Sequence, residues 1–201
     1  MDKVIELTED MFIGKGTQKA VYAYPGDASK CIKVKIIAKN ADMLKELAYR
    51  KVLQRTGKHK KMLPEYYGCV KTNLGDGYVF EYIRDFDGSA SKSLYEYLHN
   101  PNIAIKLLQV DIYQVLRRFR DEYIKEMVVT SDVDSRNFLV QRLSSNSFRI
   151  MIVDNLGTPN IIRLAYWFDC VAKYRAKKYW RRFIKEMTEE YPQLDLKNHN
   201  V

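Results

Sequence analysis

The sequence predicts an α+β protein built as two successive lobes. A small N-terminal lobe, residues 1–84, holds a five-stranded antiparallel sheet and one helix; a truncated, mostly helical C-terminal lobe fills residues 85–201. Two observations carry this. The first half reads as short Val-, Ile- and Tyr-rich runs around one helix, parted by turn residues. After the polar, Gly-containing stretch Arg84–Ser89 the apolar residues recur with a helical period. At 201 residues the chain fits one domain or one small two-lobed unit, without internal repeats, low-complexity segments or a flexible linker.

Met11–Ile13 leads into a turn at Gly14-x-Gly16, and Ala20–Tyr24 follows as the second strand. Pro25-Gly26-Asp27 marks a turn. Cys31–Ile37 alternates, with Ile32, Val34 and Ile36 on one face and Lys33 and Lys35 on the other. Asn40 suits an N-cap for a helix from Ala41 to about Arg55, closed by Gly57 and the basic run 58–61. Tyr66–Thr72 and Tyr78–Ile83 pair through the turn residues between them. The second lobe starts with a short helix, Ser91–His99, and a long one, Ile103–Glu126, whose Ile105, Leu108, Ile112, Val115, Leu116 and Phe119 share a face. Phe138–Leu143 and Phe148–Val153 form a hairpin, and Leu164 to about Glu190 is helical.

The chain is 46% hydrophobic and 29% charged, so it can bury a core without disulfide staples. Its net charge of +9 favours anionic partners, whether nucleotides, phosphorylated sugars, nucleic acid or a membrane surface, and does not choose among them. Cys31, Cys69 and Cys170 are odd in number, far apart and free of any Cys-x-x-Cys, which argues against a disulfide framework or a zinc site. His59, His99 and His199 have no ligand partner at useful spacing. The first six residues lack the basic start and apolar run of a signal peptide, and no stretch reaches the ~20 apolar residues of a membrane span, so the cytoplasm is the expected location.

Several short segments carry chemistry. Gly14 and Gly16 would let the backbone approach a nucleotide phosphate, although Lys19 stands where a third glycine is usual. Alone, Gly-x-Gly is a simple turn; here it joins two strands, and Val21 falls where a residue should cap an adenine. A strand lysine can hold ATP phosphates. The strand pattern leaves Lys33 and Lys35 equivalent, and the string Cys31-Ile32-Lys33 favours Lys33. Of the acids on the following helix, Asp42 sits in the first turn and suits the helix dipole, which leaves Glu46 to orient that lysine. Phe80-Glu81-Tyr82-Ile83 has the form of a hinge that would hold adenine through its backbone at Glu81 and Ile83, with Asp87 in reach of a ribose hydroxyl.

The heaviest segment is Asp132-x4-Asn137, directly before the strand Phe138-Leu139-Val140. Phosphoryl transfer needs a carboxylate near the attacking hydroxyl and a metal ligand a short distance away, roles that fit Asp132 and Asn137. Asp134 is a second carboxylate in the same loop, out of the expected position. Asp154 ends an apolar strand and meets Asn155-Leu156-Gly157, which suits a ligand for a phosphate-bound Mg²⁺. Finally, Lys173, Arg175, Lys177, Lys178, Arg181, Arg182 and Lys185 occur with no acid among them, interleaved with Tyr174, Tyr179, Trp180 and Phe183. That stretch offers an anionic surface, nucleic acid or a phosphorylated acceptor a site; the plainer reading is an amphipathic helix that packs its aromatics and solvates its charges.

Taken in order, these segments resemble the protein-kinase-like superfamily. Within it the chain is most similar to the bacterial PhoP-regulatory-network (YrbL-like) family, from about Phe12 to Arg182. The resemblance rests on Gly14-x-Gly16, Lys30-Cys31-Ile32-Lys33, Phe80-Glu81-Tyr82, Asp132-x4-Asn137 with the Phe138–Arg142 string, and Val153-Asp154-x-x-Gly157; Trp167-Phe168 and Tyr179–Arg182 add to it. It implies a minimal two-lobed kinase fold that binds ATP with Mg²⁺, with Lys33 on phosphates, Asp132 as catalytic base, and Asn137 and Asp154 on metal. The chain departs from the wider pattern at Thr130-Ser131, where most kinases carry His-Arg or His-Gly, and at Asn155, where an apolar residue is usual. No Ala-Pro-Glu follows Gly157, and the 44 residues after it are too few for an activation segment and peptide-docking helices.

The expected function is therefore transfer of the γ-phosphoryl group of ATP to a hydroxyl of a small-molecule, anionic or glycan-like acceptor. The alternative from another class is a nucleotide-binding pseudokinase, a regulatory module without turnover. A third is a basic binding module centred on residues 173–185.

Overall fold

Short β-branched and aromatic runs separated by turns become one antiparallel sheet. Its strands are β1 (Phe12–Lys15), β2 (Lys19–Ala23), β3 (Lys30–Lys35), β4 (Tyr66–Thr72) and β5 (Gly75–Glu81), in the order β1-β2-β3-β5-β4. The computed structural model describes residues 4–37, 41–100, 111–158, 164–196, 198, 199 and 201. The expected N-cap at Asn40 and the expected helical residues 103–110 lie outside them. One face of the sheet buries Ile32, Val34 and Val79 with Leu7. Asn73 ties the N-terminal segment to the β4–β5 turn: its Oδ1 accepts from the Leu7 N–H at 2.9 Å and its Nδ2 donates to the Leu7 carbonyl at 3.1 Å.

The chain divides into two compact units, Met1–Ala41 with Pro64–Ile83, and Asp42–Leu63 with Arg84–Val201. One division falls between Ile83 and Arg84, and from Asp42 onward the helix α1 (Ala41–Arg55) groups with the second unit. The reason is apolar: Tyr49, Met62 and Leu63 belong to the second unit's core.

That unit holds α2 (Leu94–His99), α3 (Ile112–Glu126), α4 (Leu164–Trp167) and α5 (Asp169–Glu190) around a three-stranded antiparallel sheet of β6 (Lys92–Ser93), β7 (Phe138–Ser144) and β8 (Ser147–Ile152). The hairpin falls where the sequence places it. The two-residue strand β6 was not legible, because two residues show no period; only its pairing with Leu139 and Val140 defines it. α2 starts in a capping box, with Ser93 and Glu96 each bonding the other's backbone N–H. α3 starts at Asp111, whose carboxylate accepts from the Tyr113 N–H at 2.9 Å. The single helix expected from Leu164 is two, divided at Phe168, whose extended backbone precedes α5.

α5 buries Ala172, Ala176, Trp180, Phe183 and Met187, one stripe at helical spacing. Trp180 meets Phe119 of α3 at 5.5 Å and Phe183 meets Phe138 of β7 at 5.3 Å between ring centroids, both edge to face. Among the described residues no helix is long and apolar enough to cross a membrane.

Gly157 is required by both conformation and space. Its φ is +89°, and a Cβ there would lie 2.7 Å from the Tyr166 hydroxyl and 2.8 Å from the Lys45 carbonyl oxygen. Gly157→Ala combines backbone strain with overpacking against rigid neighbours and should lower stability by about 2–4 kcal/mol. A urea unfolding curve checks this; a midpoint equal to wild type would mean that the turn relaxes freely.

Candidate functional site

The second unit brings three separated sequence segments together. Residues 129–131 run antiparallel to 155–157: the Gly157 N–H donates to the Val129 carbonyl at 2.8 Å, the Ser131 N–H to the Asn155 carbonyl at 2.7 Å, and Thr130 bridges Leu156. At the open end of the β7–β8 hairpin the Val153 N–H donates to the Asn137 carbonyl at 3.0 Å. Asp132 therefore follows one side of a short ladder whose other side descends from Asp154, and Asn137 lies beside Val153, next to Asp154.

Buried groups hold this loop. The Tyr49 hydroxyl of α1 accepts from the Val129 N–H at 3.2 Å, and the Tyr123 hydroxyl of α3 shares a hydrogen bond of 2.9 Å with the Thr130 hydroxyl. Arg175 of α5 donates to the Thr130 carbonyl at 3.4 Å. Burial pushes the Tyr123 phenol up to about 12, so it stays neutral and can keep its bond.

Asp132 itself is 42% exposed at its side chain. Its Oδ1 accepts from the Val133 N–H at 3.0 Å and lies 3.6 Å from Nη2 of Arg182. Asp154 Oδ1 accepts from the Asn155 N–H at 2.8 Å, and Asn155 takes a left-handed φ of 57°. Asp134 serves the fold: it caps a 3₁₀ turn at Ser135–Asn137 and pairs with Arg136 at 2.8 Å. Among the described residues no three His, Cys, Asp or Glu side chains gather as a metal site. The candidate metal pair is instead one amide, Asn137, and one carboxylate, Asp154.

In the first unit, Gly16 closes the β1–β2 turn by donating to the Lys19 carbonyl at 2.9 Å, and Gly14 pairs with Val21. Neither glycine has a positive φ, and a Cβ on Gly14 would meet nothing within 4 Å, so packing and conformation leave that glycine unexplained. Val21 pairs with Lys33. The two lysines that the strand pattern left equivalent differ in burial: Lys33 is 8% exposed with Nζ 4.5 Å from the Phe80 ring centre, while Lys35 is partly exposed. Glu81 lends its carbonyl to the Cys31 thiol at 3.8 Å and its carboxylate to the Glu65 N–H at 3.2 Å. Ile83 is buried.

Glu46, on α1, is fully buried. Its Oε1 accepts from Arg50 Nε at 2.9 Å, and its Oε2 finds no hydrogen-bond partner among the described residues. Asp87 is engaged locally: its carboxylate accepts from the Ser89 hydroxyl at 2.6 Å and N–H at 3.0 Å, and from Arg142. The same Arg142 bonds the buried Asp85 through Nε at 2.5 Å and its backbone N–H at 3.0 Å.

Sequence reasoning missed two participants. Arg182 was visible only as one cation among seven, since periodicity does not say which turn of a helix passes a loop. The Asp85–Arg142–Asp87 cluster joins residues far apart in sequence, and nothing local announces it.

A family model described as "PhoP regulatory network protein YrbL" matches residues 5–188, a span that includes every candidate position from Gly14 to Asp154. The chain is also 30% identical over 186 residues to the "Uncharacterized protein YrbL" of Escherichia coli (strain K12), covering 91% of this chain and 88% of that protein. The protein of the same description from Shigella flexneri matches to the same extent.

The Asp87 cluster has a pH signature. The Ser89 hydroxyl and N–H, with Arg142, hold the Asp87 carboxyl down at about 2, from an ordinary 3.8. A carboxyl depressed in the folded state stabilises fully above its unfolded value and loses that contribution as pH falls through the folded one. Stability should therefore decline from about pH 4 towards pH 2, less steeply in Asp87→Asn. Urea midpoints at pH 5, 3 and 2 check this; parallel profiles for the two proteins would remove Asp87 as a contributor.

Proposed function

The chain belongs to the family of the PhoP regulatory network protein YrbL, and we propose that it is an ATP-dependent phosphotransferase of the protein-kinase-like type, acting on a hydroxyl. The observation that carries this reading is the meeting of Asp132, Asn137 and Asp154, separated in sequence, around one ladder of backbone hydrogen bonds.

In this reaction the acceptor's hydroxyl oxygen attacks the γ-phosphorus of ATP. The new O–P bond forms as the bond to the β–γ bridging oxygen breaks, ADP leaves with that electron pair, and the hydroxyl proton passes to Asp132. The exposure of Asp132 leaves room for an acceptor. Bound Mg²⁺ would supply charge neutralisation on the phosphates. Asn137 and Asp154 are the residues that would hold it: both offer the hard oxygens this cation takes, and their backbones are neighbours. In the first unit, Gly14 and Gly16 would bring backbone N–H groups to the phosphates and Lys33 would add its charge. Val21 and the backbone at Glu81 and Ile83 would serve the adenine. The orphaned oxygen of Glu46 suits a carboxylate kept to orient a cation. Asp87 is less suited to a ribose, since both its oxygens are engaged.

Nucleotide affinity tests the first-unit assignments. ATP analogue with Mg²⁺ should stabilise the wild type by about 2.7 kcal/mol at a hundredfold excess over Kd, seen as a raised melting temperature. Lys33→Met should weaken the affinity at least tenfold and Lys35→Met should leave it nearly unchanged. If no nucleotide shifts the wild-type melting curve at millimolar concentration, the phosphotransferase reading fails.

Asp132 and Asp154 should separate when replaced by isosteric amides. Asp132→Asn should abolish transfer and slow ATP hydrolysis, yet keep ATP affinity within a few-fold of wild type. Asp154→Asn should lose both, because an amide is a poorer ligand than a carboxylate for a hard cation. Nucleotide binding without turnover in the wild type, unchanged by Asp132→Asn, would instead favour the pseudokinase.

A further inference from the structure

α5 has two faces of different chemistry. One carries the buried stripe Ala172, Ala176, Trp180, Phe183 and Met187. The opposite face presents Tyr174, Lys178, Arg181 and Lys185, all exposed, at helical spacing. No acidic side chain occurs on the helix between Asp169 and Glu186.

The helix runs beside the loop that carries Asp132. Arg175 donates to the Thr130 carbonyl at 3.4 Å, and seven residues later, two turns on, Arg182 Nη2 stands 3.6 Å from Asp132 Oδ1. Arg182 is 57% exposed at its side chain; its Nε donates to Glu186 at 2.7 Å. Arg182, on the flank between the two faces, thus reaches the carboxylate assigned to the acceptor hydroxyl.

We infer that the acceptor is an anion, carrying a phosphate or carboxylate group that Arg182 grips beside Asp132. This rests on the phosphotransferase reading and names the substrate class for it. An exposed, loose ion pair adds little stability, so the Arg182–Asp132 approach is not explained as a fold-holding bridge. A guanidinium presents a planar fork of donors that matches phosphate and carboxylate oxygens. A neutral polyol would gain little from such a group. An anionic acceptor approaching ATP must overcome repulsion between like charges, and Arg182, with Lys178, Arg181 and Lys185 extending its field, offsets that repulsion.

Calorimetric titration of the full chain with inorganic phosphate, without nucleotide, tests the site itself. Arg182→Gln should weaken phosphate binding about tenfold, the loss of one charge-assisted hydrogen bond, and Lys71→Gln, at an exposed cation of β4, should keep it within about twofold of wild type. Binding unaffected by Arg182→Gln, or weakened as much by Lys71→Gln, overturns the inference, as does no binding by the wild type at millimolar phosphate. A melting curve confirms that the surface variant is folded. ATP-turnover assays with phosphorylated and acidic sugars beside their neutral parents then separate the two claims. Arg182→Gln should raise KM for an anionic acceptor at least about tenfold, with kcat within a few-fold. Preference for a neutral parent sinks the anion and leaves the phosphotransferase reading standing. No ATP turnover with any acceptor sinks both.

Discussion

The candidate site of the second unit depends on the packing of Phe138. This ring is fully buried, directly after Asn137, and meets Phe119 of α3 and Phe183 of α5 at 4.9 and 5.3 Å. Its backbone pairs with Ile152, two residues before Asp154. One apolar contact point therefore sets where two candidate metal ligands begin. Burying an aromatic ring contributes about 1.5–3 kcal/mol, more than the exposed polar interactions around Asp132 can add. The exposed end can stay wet because its anchor is dry.

The loop from Val129 to Asp132 shows the same division of labour. It is fixed through backbone groups and buried hydroxyls: Tyr49 from α1, Tyr123 from α3, and the ladder to Asn155 and Gly157. Burial raises the pKa of both phenols, which keeps them neutral. Asp132 is left out of this net and partly exposed.

Electrostatics divides along similar lines. Asp85 and Arg142 form a buried pair that locks the stretch after Ile83 onto β7, with the Ser91 hydroxyl also on Asp85 at 2.6 Å. Such a pair is expensive to desolvate and strongly destabilising to break, which makes it suited to specifying how two segments join. The cations of α5 lie mostly in solvent and shape a field instead. Of the aromatics interleaved with them, Trp180 and Phe183 enter the core and Tyr174 is exposed, so the plainer reading of that helix holds for its inner face.

Period and turn chemistry determined much of this protein from sequence alone. The five strands of the first sheet, the hairpin at Phe138–Ile152 and α1 follow from local patterns that each segment carries by itself. The candidates Gly14, Lys33, Asp132, Asn137 and Asp154 were nominated there too, from residue types at fixed spacing and the strings around them. Tertiary structure alone decided the rest. Which lysine of β3 is buried depends on Phe80 from another strand. The grouping of α1 with the second unit depends on the core that Tyr49 enters. The division at Phe168 and the strand β6 depend on neighbours distant in the chain. The approach of Arg182 to Asp132 depends on the path of α5 past the loop. Periodicity describes one element against an average environment; long-range contacts choose which side chain of that element meets which partner.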